Sequence, residues 1–297
     1  ILPTVAMPTA TPTPTFADPL AETMDSVGSR PSAMRQLFEL RPVDRQFIDR
    51  AELRARLSEG FMEDEEEIYA EQELYAALGV LDDETDLFEL LLEIYGKEVV
   101  GFFDTEEEKL FVVRDGLEFG PSEELTYAHE FVHSLQQQHF DIHSVNEGLE
   151  GHADAALAFR ALVEGDATAS ELFYMFQHMS EEEHAEAQAA SSDADAGAFE
   201  AAPHLIRRTF LFPYVEGFQF VAALFLQDNT WSAVNKAMAD VPRSTEQILH
   251  PEKYLGNERL VPVVMPDLAS RLGSGWAEVE RDVLGEFFLR TYLETAV

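Results

Sequence analysis

The chain has 297 residues, with 57 Asp and Glu against 20 Lys and Arg, a net charge of −37, nine His and no Cys. So negative a surface repels phosphate backbones, which bind through Lys and Arg, and this excludes nucleic acid as a partner. The lack of Cys excludes disulfides, thiolate metal sites and cysteine nucleophiles, so any metal must sit on His, Asp and Glu.

Residues 1–31 are rich in Thr, Pro and Ala around Thr11-Pro12-Thr13-Pro14-Thr15, a composition that favours extended, solvated chain. They read as a tether, of the kind that follows a secretion or lipid-anchor signal and holds a domain off a cell surface, or equally as an ordinary disordered terminus. Residues 32–96 read as an N-terminal helical region, with apolar positions at helical spacing in 51–57, 68–78 and 87–95, and with the acidic run 63–67 as a solvated face. Residues 99–103 and 110–113 flank a polar turn at 105–108 and predict a hairpin. Helices are predicted over 122–138, 154–178, 216–228, 231–239, 245–250 and 276–295, and residues 180–203 read as a mobile acidic insertion or frayed helix. No run reaches the roughly 20 apolar residues that span a bilayer. The nearest, 210–226, is interrupted by Pro213, Glu216 and Gln219 and reads as a core helix with a broken start. The fold class is therefore mainly α with a small β-hairpin or sheet (α+β), residues 97–297 forming the principal domain.

The informative segment is His129-Glu130-Phe131-Val132-His133, within a stretch free of Gly and Pro. Chance supplies roughly 0.05 such matches in a chain of this composition. Residues four apart on a helix lie about 40° from one another around the axis, so both imidazoles can face one ion. Glu130, about 100° round from His129, can reach a water beside that ion without ligating it, which supplies a Lewis acid and a general base together.

A catalytic zinc keeps three protein ligands. His139 follows His133 by six residues, but with Gln136 where a turning Gly would be needed the helix continues and carries it about 9 Å past. Glu164, an acidic residue amid Ala, Val and Leu, is the better third ligand, with Ala161, Gly165 and Ala167 small enough to let its helix approach the His-bearing one. An intrahelical pair with Arg160 is the alternative. The set then predicts Zn2+ on His129, His133 and Glu164.

These four residues resemble the gluzincin branch of zinc metallopeptidases, whose thermolysin-like fold sets a helix-borne His-Glu-x-x-His after a small sheet and takes a Glu ligand from a second helix. The resemblance covers about 98–176. The chain is also similar to uncharacterised bacterial extracytoplasmic proteins carrying the segment at 245–254. It implies a zincin-like catalytic domain over 97–297, peptide-bond hydrolysis with Glu130 as base, a polypeptide substrate laid against an edge strand at 109–115, and an extracytoplasmic location, secreted or anchored at the cell surface. It also implies an oxyanion donor downstream of the third ligand. His250 and Tyr254 are the candidates, ahead of Tyr214 and Tyr127, although Ser244 and Gln247 also read as a capping box for a purely structural turn. In such enzymes an Asp four residues after the ligand Glu steadies a histidine. That position is Thr168 here, with Asp166 two residues away, which leaves the steadying residue open. The competing reading is a non-catalytic zincin-fold surface protein with a structural metal. A di-iron bundle would need a second Glu-x-x-His, and its match, Glu181 to His184, falls in the acidic insertion.

Overall fold

A computed structural model describes residues 19–82, 84–99, 101–113, 119–192, 197–276 and 281–295. Over these the chain is mainly helical with one three-stranded sheet, an α+β arrangement. In chain order the elements are α1 (Pro19–Arg35), β1 (Asp44–Ile48), α2 (Arg50–Glu63), α3 (Glu65–Ala77), α4 (Leu87–Glu98), β2 (Gly101–Asp104), β3 (Lys109–Val113), α5 (Pro121–Phe140), α6 (Ile142–Glu147) and α7 (Ala153–His178). They continue with α8 (Glu181–Ser192), α9 (Gly197–Ala201), α10 (His204–Phe225), α11 (Ser232–Ala239), α12 (Thr245–Leu249), α13 (Pro251–Leu255), α14 (Leu268–Leu272) and α15 (Gly285–Thr295). Among the described residues no helix is long and apolar enough to cross a membrane.

β2 and β3 form the expected hairpin, with Gly101 opposite Val112 and Asp104 opposite Lys109. The Asp104 carboxylate accepts the N–H groups of Glu106 and Glu107 at 2.9 and 2.8 Å and closes the turn. β1 is a strand that the sequence pattern does not predict. It pairs parallel to β3 from Asp44 opposite Lys109 to Ile48 opposite Val113, so the strand order is β1-β3-β2 and β3 is central. That corrects the expected substrate-binding edge at 109–115: 109–113 is paired on both sides, 114 and 115 lie outside the described residues, and the edge strands are β1 and β2, with β2 beside α5. Leu110, Phe111, Val112 and Val113 are all buried, the continuous apolar pattern of an interior strand.

The N-terminal boundaries also shift. Residues 1–18 of the proposed tether lie outside the described residues, but 19–31 belong to α1, where Met24 and Val27 pack in one core with Tyr127, Ala128, Phe131 and Leu135 of α5. Leu20, Met24, Val27 and Met34 share one helix face, a stripe diluted by Gly28 and Pro31. Gly28 lies so close to α5 that a Cβ there would sit 2.6 Å from the Phe131 ring. With β1 in the sheet and α1 on α5, the segment before residue 96 shares its core with the segment after it.

The acidic insertion holds two helices. Ala187 of α8 is buried, and Phe199 and Ala202 join a core with Ile68, Tyr75, Leu87 and Leu205; small Ala and one Phe supply the apolar face that charge counting hid. Residues 193–196 are outside the described set, as are 277–280 of the long helix expected at 276–295, of which α15 supplies the end.

α7 and α10 form the main helical pair. A Cβ on Gly165 would lie 2.2 Å from the Gly217 carbonyl carbon, and one on Gly217 would lie 2.1 Å from the Ala161 oxygen, so the backbones touch. Gly165 therefore serves the approach of α10, not of the His-bearing helix. α10 runs through Pro213 rather than starting brokenly there; the ring removes one hydrogen bond to the turn before, and burial of Phe212, Phe220, Val221 and Leu224 holds the helix together.

Because Met24 is 1 % exposed at the α1–α5 contact, Met24→Ala should lower the unfolding free energy by about 2–5 kcal/mol in denaturant titration. A loss below about 0.5 kcal/mol, the scale of surface changes, would show that α1 does not pack.

Candidate metal centre

α5 begins at Pro121, with Glu123 accepting the Gly120 N–H at 3.1 Å, and ends where Asp141 turns left-handed at φ 52°. Between these caps the motif lies on one regular face. The His129 and His133 rings are 4.9 Å apart at 73°, each side chain 10 % exposed. His129, Glu130 and His133 form a buried group whose ligating atoms lie within 4.8 Å of one another and which could hold a metal ion.

Glu164 comes to this group from α7. Its Oε2 lies 3.2 Å from His129 Nε2 and 3.3 Å from His133 Nε2. Ligand atoms at the corners of a tetrahedron with bonds of about 2.0–2.1 Å stand about 3.3–3.4 Å apart, so the donor types and their spacing fit a zinc ion. Arg160, the alternative partner one turn earlier on α7, is exposed, and the Glu164 carboxylate turns to the imidazoles instead.

The outer nitrogens are held as well. His129 Nδ1 lies 2.9 Å from Glu171 Oε2, and His133 Nδ1 lies 2.8 Å from Gln136 Oε1. Along α5, His129, His133 and Gln136 meet Glu171, Glu164 and Val163 in turn, so α5 and α7 run antiparallel. Glu171 and Gln136 are absent from the sequence-based site, yet each has a signal: Glu171 is two turns beyond Glu164 on the same face, and Gln136 one turn beyond His133.

The electrostatics are those of a charge cluster in a poor solvent. Burial favours neutral imidazole, but the carboxylates of Glu164 and Glu171 outweigh it and raise His129 well above its ordinary value; Glu164 likewise raises His133. Burial opposes ionisation of Glu164, and the two imidazoles overcome it, holding that carboxyl far below its usual range. Glu130 moves the other way, raised by burial that the histidines only partly offset. Its Oε2 accepts the N–H of Phe103 on the open edge of β2 at 2.9 Å. The strand can come this close because Gly101 has no side chain: a Cβ there would lie 2.9 Å from Thr126 of α5.

Tyr214 of α10 completes the surroundings, its ring 6.3 Å from that of His129. The charges of Glu164 and Glu130 push its phenol above the ordinary value, although the residue is 38 % exposed. It lies one turn before Gly217, so the tight α7–α10 crossing fixes its place. The expected donors are elsewhere. His250 Nε2 lies 2.9 Å from Glu286, and the Tyr254 hydroxyl donates to the Asp240 carbonyl at 2.7 Å with its ring on Phe220. Their segment meets α7 at Asp154, which accepts the Thr245 N–H at 3.1 Å. Asp154 is ten residues before Glu164, about 15 Å along the helix, and among the described residues no hydrogen bond or ring contact joins His250 or Tyr254 to His129, His133 or Glu164. The expected capping box does not form, because Gln247 accepts the N–H of Arg243, one residue before Ser244, and Ser244 makes no cap bond. Tyr127 binds Arg45 under β1, and His139 lies exposed against the Phe38 carbonyl, off the ligand face as its spacing implied.

Compared with protein-family models, with curated proteins and with solved structures, the chain matches none.

With Glu164 bridging both imidazoles, Glu164→Ala should weaken zinc binding at least about a hundredfold in competition with a chromophoric chelator, more than loss of an outer partner costs. Unchanged affinity would remove Glu164 from the ligand set.

Proposed function

We propose that this protein is a zinc-dependent metallopeptidase of the gluzincin type, hydrolysing peptide bonds in polypeptide substrates. The observation that carries the reading is a division of labour among the carboxylates. Glu164 sits between the two Nε2 atoms at ligand spacing, whereas Glu130 is turned to the Phe103 N–H at the edge of the sheet. A metal kept for stability alone is usually closed by four protein ligands and needs no adjacent base.

In this reading His129, His133 and Glu164 hold Zn2+. The ion supplies Lewis acidity, polarising a carbonyl and lowering the pKa of water. Glu130 takes a proton from the attacking water onto its carboxylate and passes it to the leaving amine nitrogen as the C–N bond breaks; a carboxyl raised by burial suits both halves of that cycle. The Tyr214 hydroxyl donates to the oxyanion that develops at the scissile carbonyl. The open edge of β2 offers backbone groups to an extended peptide, by the pairing that adds a strand to a sheet.

The test is hydrolysis of an unstructured polypeptide such as casein by the zinc-loaded full chain, before and after chelation. Glu130→Gln is expected to keep its zinc and lose about 10²–10⁴ in turnover, and Tyr214→Phe to lose about 10²–10³ with zinc unchanged. Loss of zinc in Glu130→Gln would make that residue a fourth ligand of a closed, structural site. Absence of hydrolysis by the zinc-loaded wild type would contradict the proposal.

A further inference from the structure

We infer that Arg35, Asp166 and Gln136 form a buried relay that fixes which nitrogen of His133 carries its proton, and so aims the other at the metal position. The inference rests on the metal-site half of the proposal above and not on hydrolysis. It starts from the Gln136 amide. Gln136 Nε2 lies 3.0 Å from the Val163 carbonyl oxygen and 2.9 Å from Asp166 Oδ2. Both partners are acceptors, and only an NH2 group satisfies two acceptors at once, so the amide orientation is set by its surroundings. Its oxygen must then face His133 Nδ1, 2.8 Å away. An amide oxygen only accepts, so Nδ1 carries the proton. In neutral imidazole that leaves Nε2 with its lone pair, on the side of Glu164.

Asp166 is fixed in turn, because its Oδ1 accepts from Arg35 Nε at 2.6 Å. The guanidinium stacks over Trp231, 4.5 Å from the ring centroid. Arg35, Asp166 and Gln136 are all fully buried. Moreover, the two terminal nitrogens of Arg35 have no hydrogen-bond partner among the described residues. Burying a guanidinium with donors unmet is a poor way to gain stability, and apolar side chains in its place would serve the core better. The arrangement makes sense for what it orients. The two histidines are thus steadied by different means: His129 directly by Glu171, which is partly exposed, and His133 through a dry chain that begins on α1. Asp166, the alternative to Thr168 as the steadying residue, acts on His133 through Gln136.

The experiment uses the full chain with Zn2+ alone as the probe. Zinc dissociation constants are measured by chelator competition for Gln136→Met, Arg35→Met and the double variant, and the His133 Nδ1–H resonance of the zinc-loaded protein is followed by long-range 1H–15N correlation. Gln136→Met should weaken zinc about ten- to a hundredfold and lose the slowly exchanging Nδ1–H signal. Arg35→Met should weaken it less, and the double variant no more than Gln136→Met alone, because both act along one path. If Arg35→Met fails to fold, Gln136→Met decides by itself. A folded Gln136→Met with wild-type zinc affinity, or additive losses in the double variant, would overturn the relay while leaving the metal site standing. A wild-type chain that binds no zinc would overturn both.

Discussion

A carboxylate inside a helical core is costly unless opposite charge or a cation meets it, and Glu164 is placed where two imidazoles do so. Much of the surrounding architecture follows from holding that one group. α7 carries it in a stretch of Ala161, Leu162, Val163 and Gly165, all buried, which leaves the carboxylate one direction in which to find partners. α5 runs antiparallel on that side and presents His129 and His133 from successive turns. On the other side α10 comes into backbone contact at Gly165 and Gly217, which fixes the height of Tyr214 against the same cluster.

The charge balance of the centre is one that a divalent cation could complete. Glu130, Glu164 and Glu171 gather around two imidazoles in a chain already at −37. The carboxylates of Glu164, Glu171 and Glu130 drive His129 above its ordinary value, and those of Glu164 and Glu130 do the same to His133. A 2+ ion would supply compensating charge at the point where the Nε2 atoms and the Glu164 oxygen converge.

What the sequence made legible was the part written within single elements. The spacing of His129, Glu130 and His133 is a helical statement, and α5 carries it as expected. Glu164 was legible because an acidic residue among Ala, Val and Leu has to be explained. Relations between elements were not. β1 contains only two apolar residues, Phe47 and Ile48, and its partner is more than 60 positions away, so nothing local marks it as a strand. α1 hid behind a Thr/Pro-rich start although Met24 and Val27 carry a helical stripe. The same limit hid the place of Tyr214: His250 and Tyr254 stand out in the sequence beside a short turn, but only the helix crossing at Gly217 brings the Tyr214 ring beside that of His129. Arg35 was invisible for the related reason that its partner Asp166 is on another helix, 131 positions away, and such a pairing leaves no trace in spacing.

The central claim is that two imidazoles of α5 and one carboxylate of α7 make a three-ligand zinc site. X-ray absorption at the zinc edge of the full chain, loaded with one equivalent of Zn2+, tests it most directly. The expected spectrum is four-coordinate, with nitrogen and oxygen scatterers at about 2.0–2.1 Å and multiple scattering from two imidazoles. Three imidazoles, or a six-coordinate oxygen shell without imidazole scattering, would contradict it.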